Sequence, residues 1–281
     1  MTLETVSTSK AHGGVLGVYR HASTATATPM TFSVFVPPQA QAGAKLPVLL
    51  YLSGLTCTHA NVTDKGEYRR LCAELGLVFV APDTSPRGEH VADDPAGAYD
   101  FGLGAGFYVN ATQEPYAAHY RMWDYIALEL PALLAAHFPV DLARMGITGH
   151  SMGGHGALTL GLTYPETFKS LSAFAPIVAP GQVPWGHKAL GGYLGEDRAA
   201  WRAHDATALV EDGKRPAGAI LIDQGDADGF LAEQLRPELF AQACKAAGVD
   251  LTLRLQPGYD HSYNFISSFM DDHLRWHAGR L

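Results

Sequence analysis

Cysteine is scarce in this chain: three residues in 281, Cys57, Cys72 and Cys244. They are odd in number and widely spaced, and no C-x-x-C pair occurs, which argues against a zinc ribbon or a disulfide framework and fits a reducing compartment. Positive charge is also in short supply. Twenty Lys and Arg against 28 Asp and Glu leave a net charge of −8, which disfavours a general nucleic-acid or anionic-membrane surface. No apolar run approaches the ~18 residues of a membrane span. Met1 to Gly14 is polar and has no apolar signal core, so a cytoplasmic protein is expected. In that setting the sequons Asn61-Val-Thr63 and Asn110-Ala-Thr112 read as chance matches. No H-E-x-x-H or similar metal constellation exists. The run Gly102-Leu-Gly-Ala-Gly106 has no strand–helix pair to make it a nucleotide loop, so neither metal nor cofactor is expected.

What is present is apolar mass, 47% of residues, in a chain long enough to hide about 75% of its unfolded surface. Short apolar runs recur at Phe32–Val36, Leu46–Leu52, Leu77–Ala81, Met145–Thr148, Leu171–Val178, Ala219–Ile222 and Val249–Leu255. Leu46-Pro-Val-Leu-Leu-Tyr-Leu52 is nearly continuous, as in a strand covered on both faces. Helix-period stretches lie between the runs: Glu67–Leu75, Tyr120–Phe138, Pro237–Ala247 and Ser262–His277. Pro131 is expected to kink the second of these or to begin a new helix. Phe265, Ile266, Phe269 and Leu274 form one stripe on the last. Alternating strands and helices predict an α/β domain with a mainly parallel sheet. No helix separates Phe32–Val36 from Leu46, which predicts an antiparallel leading edge. One domain, 1–281, is expected, with long pocket-forming loops at about 83–118 and 179–218. Tyr99, Phe101, Phe107, Tyr108, Tyr116, Trp185 and Tyr193 are their candidate pocket walls.

Chemistry concentrates in Gly149-His-Ser-Met-Gly153, a G-x-S-x-G with a β-run before it and a small-residue helix after it. Such a turn raises Ser151 at a helix N-terminus, where free N–H groups stabilise developing negative charge. The flanking glycines are needed because a Cβ would collide with the turn. A serine hydroxyl needs a base, and the chain order should be Ser, acid, His. Among thirteen histidines, His261 follows the strand Leu251–Leu255 and opens the last helix, whereas His187 and His204 lie in an insert and His273 and His277 within a helix. The acid should lie just past the strand Ala219–Gly225. Asp228 is favoured, with Asp226 the alternative; Asp223 reads as structural, and Asp260 as a turn or cap residue. Leu55, in the loop after Leu52, and Met152 are the expected backbone donors of an oxyanion hole.

With these residues in place the chain resembles the S-formylglutathione hydrolase (esterase D) family over nearly its whole length. The matching segments include Leu52-Ser-Gly-Leu-Thr-Cys-Thr58, Ala81-Pro-Asp-Thr-Ser-Pro-Arg-Gly88, Gly104-Ala-Gly-Phe-Tyr-Val109 and Ala111-Thr-Gln-Glu-Pro115. Gly149-His-Ser-Met-Gly-Gly-His-Gly156, Pro184-Trp-Gly186, Leu221-Ile-Asp-Gln-Gly225 and Gly258-Tyr-Asp-His-Ser-Tyr263 complete the set. The resemblance implies an α/β-hydrolase fold with Ser151, Asp228 and His261 as the triad. It also implies cleavage of a glutathione thioester to glutathione and formate, in formaldehyde detoxification, and a homodimer. His59-Ala-Asn-Val62, Ala98-Tyr99 and Tyr116 depart from the family pattern and are expected to face the pocket. Cys57 and Trp185 are expected near substrate. Lys65, with Arg87 and Lys188, is a candidate partner for the glutathione carboxylates. Cys57 is either a modifiable thiol or a packing residue. Two rival functions are a general carboxylesterase for O-acyl esters and a non-catalytic binding scaffold.

Overall fold

In the computed structural model, which describes residues 2–281 except the side chains of residues 41 and 42, nine strands form one sheet. The first two, β1 (Glu4–Ala11) and β2 (Gly14–Ala22), make a hairpin whose first strand no apolar run announces. β1 is rich in Ser and Thr and almost wholly exposed, so its register rests on backbone pairing and on the turn. His12 and Gly13 at that turn both have positive φ, 48° and 79°, which matches the twist of a two-residue hairpin.

β3 (Pro29–Val36) follows, then β4 (Leu46–Leu52), helices α1 (His59–Lys65) and α2 (Arg69–Leu75), and β5 (Val78–Pro82). A new α-helical segment begins beside Pro131, at Leu130, one of the two outcomes expected, without interrupting the helical path. α3 (Met122–Asp124) runs through a π-helical turn, Tyr125–Glu129, into α4 (Leu130–His137). The wider turn just ahead of Pro131 accommodates a residue that has no N–H to donate. The rest alternates as expected: β6 (Val140–Gly149), α5 (Met152–Thr163), β7 (Phe168–Phe174), then later β8 (Ile220–Gly225), α9 (Pro237–Ala247), β9 (Leu251–Gln256) and α10 (Tyr263–Ala278).

Residues 179–218, expected to be an irregular loop, instead hold three helices between β7 and β8. These are α6 (Pro184–Leu194), α7 (Arg198–Arg202) and α8 (Ala206–Glu211). Asp197 and Asp205 cap the second and third by accepting from Ala199 N and Ala208 N. The Gly191-Gly192 pair is inside the first. A Cβ on Gly192 would sit 2.3 Å from the Phe101 ring, so the glycine serves close packing rather than a turn.

The sheet order is β1-β2-β3-β5-β4-β6-β7-β8-β9, antiparallel from β1 to the β3–β5 pair and parallel from β5 to β9. This is the expected mainly parallel sheet with an antiparallel leading edge. Helices α1, α2 and α10 pack together against the sheet, while α5 and α9 join the Ala206–Glu211 helix in a second group. β5, the end of β6 and all of β4 except Pro47 are buried, as parallel strands between two helical layers should be. Their carboxyl ends open on the same edge, where Ser53, His150 and Asp226 leave β4, β6 and β8.

Candidate active site

Ser151 sits at the sharp turn between β6 and α5, with φ 59° and ψ −118°, a conformation that a residue with a Cβ adopts only under constraint. Three backbone bonds hold it there. Its N–H donates to the Phe174 carbonyl at 3.0 Å, and its own carbonyl accepts from His155 N at 3.0 Å and Ile177 N at 3.3 Å. The glycine requirement is physical. A Cβ on Gly149 would stand 2.3 Å from the Gly153 carbonyl oxygen, and one on Gly154 would press on Pro176 at 2.7 Å.

His261 Nδ1 lies 2.5 Å from Asp228 Oδ2. The other Asp228 oxygen accepts from Phe230 N at 2.8 Å, and Gln224 Nε2 donates to Oδ2 at 3.1 Å, so the carboxylate is fixed on both sides. The neighbouring acids have other partners. Asp226 Oδ1 accepts from Gly258 N at 2.7 Å and Asp260 Oδ1 from the N–H and hydroxyl of Ser262. Asp223 is wholly buried and accepts from Arg254, Gln256 and His273. Burial pushes its carboxyl up, but those hydrogen bonds prevail and hold it at about 2. Of the four carboxylates, Asp228 is the one that contacts His261.

A cavity of about 290 Å³ joins Ser151 and His261 with Gly54, Leu55 and Cys57, and its walls include Trp185 and Tyr263. The turn carrying Leu55 is braced from behind. Cys57 N donates to Gly54 O at 3.3 Å, Thr56 N to Gly104 O at 2.9 Å, and the Tyr108 hydroxyl to Ser53 O at 2.8 Å. Thr84 and Arg87 both donate to the Cys57 carbonyl. Met152 is the first residue of α5, so its N–H is among those a helix leaves unpaired.

Residues 83–118 therefore support the site more than they wall it. Only Tyr99 from this segment lines the cavity, and the residue is 55% exposed. Phe101, Tyr116, Tyr120 and Tyr193 form a buried aromatic cluster, with ring centroids 4.5–5.5 Å apart. Tyr116 thus packs in the interior rather than facing the pocket, as do Phe107 and Tyr108. Trp185 does reach the cavity, as does Asn61 from the His59-Ala-Asn-Val62 departure, whereas Val62 is buried in the core; Phe230 joins them without having been singled out by any pattern. Phe230 lies on the loop just beyond Asp228, an aromatic placed where the acid was already expected. Its ring is 4.7 Å from Trp185 and 5.1 Å from His261, so an aromatic wall runs outward from the imidazole.

The candidate cations are placed differently from one another. Lys188 pairs with Asp94 at 3.0 Å and Asp100 at 2.5 Å, and Arg87 with Asp83 at 2.9 Å. Lys65 ends α1, exposed and outside the cavity lining, with its charge acting on the Cys57 thiol. Burial outweighs that attraction and pushes the Cys57 thiol up, which keeps its thiolate fraction low. Both sequon asparagines are engaged: Asn61 Oδ1 accepts from Thr58 N at 2.9 Å and Asn110 Oδ1 from Asp124 N at 3.1 Å.

Comparison with known proteins agrees with this geometry. The sequence pattern of the esterase family ("Putative esterase") matches residues 23–276. An S-formylglutathione hydrolase from Paracoccus denitrificans (strain Pd 1222) is 55% identical over 283 residues, covering all of both chains. The chain belongs to the S-formylglutathione hydrolase family. A mouse (Mus musculus) S-formylglutathione hydrolase is 50% identical over 282 residues, covering all of this chain and 99% of its own. The solved S-formylglutathione hydrolase of Agrobacterium tumefaciens is 57% identical, covers 99% of both chains and superposes with a TM-score of 0.97. The fold is that of the α/β-hydrolases, and family members are enzymes of the hydrolase class.

Proposed function

We propose that this protein hydrolyses S-formylglutathione to glutathione and formate, with Ser151 as nucleophile, His261 as base and Asp228 as its orienting acid. The observation that carries the reading is the 2.5 Å contact of His261 Nδ1 with Asp228, beside a serine raised on a strained strand–helix turn in the same cavity. The substrate comes from the relatives, whose names specify it at 50–57% identity across the full chain.

In the first half-reaction His261 takes the Ser151 proton as Oγ attacks the formyl carbonyl. The amides of Leu55 and Met152 receive the oxyanion, assisted by the positive end of α5. The tetrahedral intermediate collapses, the C–S bond breaks, and the His261 proton goes to the departing glutathione sulfur. Water then attacks the formyl-enzyme while His261 again removes a proton. Formate leaves and Oγ regains its hydrogen. Asp228 keeps Nδ1 protonated and aimed throughout. Trp185 and Cys57 border substrate, and Lys65 offers charge to the peptide carboxylates from beyond the rim. A homodimeric, cytoplasmic enzyme of formaldehyde detoxification is the corresponding biological assignment. The three cysteines, all free, fit a reducing compartment.

A second reading is a carboxylesterase for short O-acyl esters with aromatic leaving groups. One observation favours it: among the described residues the cavity is lined by Tyr99, Trp185 and Phe230 and by no lysine or arginine. The deciding experiment compares kcat/KM for S-formylglutathione and a short-chain O-acetyl ester on one preparation, with Ser151→Ala as blank. A large thioester preference that vanishes in the blank supports the first reading. Equal or reversed constants support the second, and absence of turnover on both would leave a binding scaffold.

A further inference from the structure

His150, the residue before the elbow serine, has no part in the mechanism above. It is 5% exposed and borders the cavity. Its ring centroid lies 4.3 Å from that of His261, with the two planes inclined at 45°. On its other side, Nδ1 is 3.3 Å from where a Cβ on Gly54 would stand. The imidazole is therefore wedged between the proposed oxyanion turn and the proposed base.

Its hydrogen bonding sets it apart. Among the described residues, His150 is the only histidine whose two ring nitrogens are both buried and without a hydrogen-bond partner. Other interior histidines are tied down: His155 contacts Phe107 O, His273 contacts Ser172 and Asp223, and His277 contacts Ser170 and Ser172. An unpaired buried polar group weakens a fold, and an apolar ring in its place would remove that penalty. Burial, and then the charge of His261, hold the His150 imidazole well below its ordinary pKa. It stays neutral beside a group that must become cationic, and does not compete for the serine proton.

We propose that His150 is a positioning residue for His261, a neutral imidazole whose uncommitted ring dipole stabilises the imidazolium formed on the way to each tetrahedral intermediate. Because no protein group fixes its tautomer, the form that turns a lone pair toward His261 is open to it. The remaining groups around His261 leave this face to His150. Asp228 takes Nδ1 from the loop after β8, and Phe230 presents an uncharged ring edge to face. On the His261 segment itself, Asp260 is turned to Ser262, and burial pushes the Tyr263 hydroxyl up so that it stays neutral. Cys57, across the cavity, is likewise held as a neutral thiol.

The inference rests on the proposed roles of Ser151, His261 and Asp228, and the test separates the two. Wild type, Ser151→Ala, His150→Phe and His150→Gln are compared for kcat, KM and Tm with S-formylglutathione and a p-nitrophenyl ester. His150→Leu replaces His150→Phe if the larger ring prevents folding beside Gly54. The apolar variant should keep or raise Tm yet lose about tenfold or more in kcat, with KM within about twofold. His150→Gln, which retains an amide dipole, should recover most of that loss. A folded apolar variant with wild-type kcat overturns the inference, as does a glutamine variant no better than the apolar one, or a loss of kcat that simply follows a loss of Tm. Wild type inactive on both substrates would instead overturn the hydrolase reading.

Discussion

The Leu52 carbonyl oxygen lies 2.0 Å from the point where a Cβ on Gly153 would stand. The end of β4, which leads into the Leu55 turn, and the first turn of α5, which carries Met152, are thus in backbone contact. The two proposed oxyanion donors owe their spacing to that contact. Gly153→Ala forces the two segments apart, since the obstacles, the carbonyls of Leu52 and Ser53, are backbone rather than flexible side chain. Overpacking of this kind costs about 1–3 kcal/mol. The variant should show a lower Tm and, in its folded fraction, a kcat reduced by at least about a hundredfold, the scale of losing one oxyanion donor. Full activity in a well-folded Gly153→Ala protein would refute the assignment of Leu55 and Met152.

Asp228→Asn keeps the shape of the side chain but removes the charge and the acceptor that fix the His261 tautomer. A loss in kcat of about 10⁴ is expected, with KM little changed. Asp226→Asn should stay within about threefold of wild type, because Asp226 binds the Gly258 amide instead of His261. Steady-state kinetics on purified variants reads both, and a larger loss in Asp226→Asn would transfer the acid's role.

Acid should destabilise the fold well before its carboxylates titrate. Burial holds His155 at about 3 and His204 at about 4, and pushes His150 and His277 well below their ordinary value. These folded values lie beneath the unfolded ~6.5, so their contribution is complete above that pH and is lost as pH falls from 6.5 toward the folded values. Each such histidine gives a slope of up to about 1.4 kcal/mol per pH unit in that window. Melting curves should therefore move down steadily between pH 6.5 and 4, with more than one proton taken up on unfolding. Below about pH 4 the contribution of Asp223, whose folded value is depressed to about 2, is lost in its turn. A Tm constant from pH 7 to 5 would contradict the account.

The aromatic wall can be tested by its selectivity. Tyr99 is the outermost of the three rings, 6.4 Å from Trp185 in an edge-to-face arrangement. Tyr99→Ala should lower kcat/KM for the bulky glutathione thioester by about three- to tenfold and leave methyl or ethyl esters nearly unchanged. Equal losses on both classes would place Tyr99 outside the binding path.

The parts of the fold legible in the sequence were those written as burial. β4 and β5 announce themselves because parallel strands covered on both faces need continuous apolar residues. α9 begins and ends where Pro237 and Gly248 dictate. The grouping of Ser151, His261 and Asp228 was readable because the elbow demands glycines and because each residue follows a strand. β1 was not readable from hydrophobicity, since its exposed Ser and Thr carry no pattern; the only local signal was the His12-Gly13 turn. Residues 179–218 looked irregular because Gly192 suggests a loop until Phe101 is known to lie against it. Phe230 and His150 reach the cavity as sequence neighbours of Asp228 and Ser151, but their contacts with Trp185 and His261 are long-range packing that no spacing encodes.

Behind the cavity, a chain of polar contacts crosses the sheet, buried from Thr148 to Asp223 and partly exposed at Arg254. Thr148, three residues before Ser151, meets Ser172, which meets His273 and His277 of α10; His273 meets Asp223, and Asp223 meets Gln256 and Arg254. The strands that deliver Ser151, Asp228 and His261 are therefore joined from behind, independently of anything on the substrate side. Tyr99, Trp185 and Phe230 line the cavity and share none of those contacts. Such a division lets descendants of this chain exchange one leaving group for another by renewing the entrance alone, while the reacting atoms keep their places.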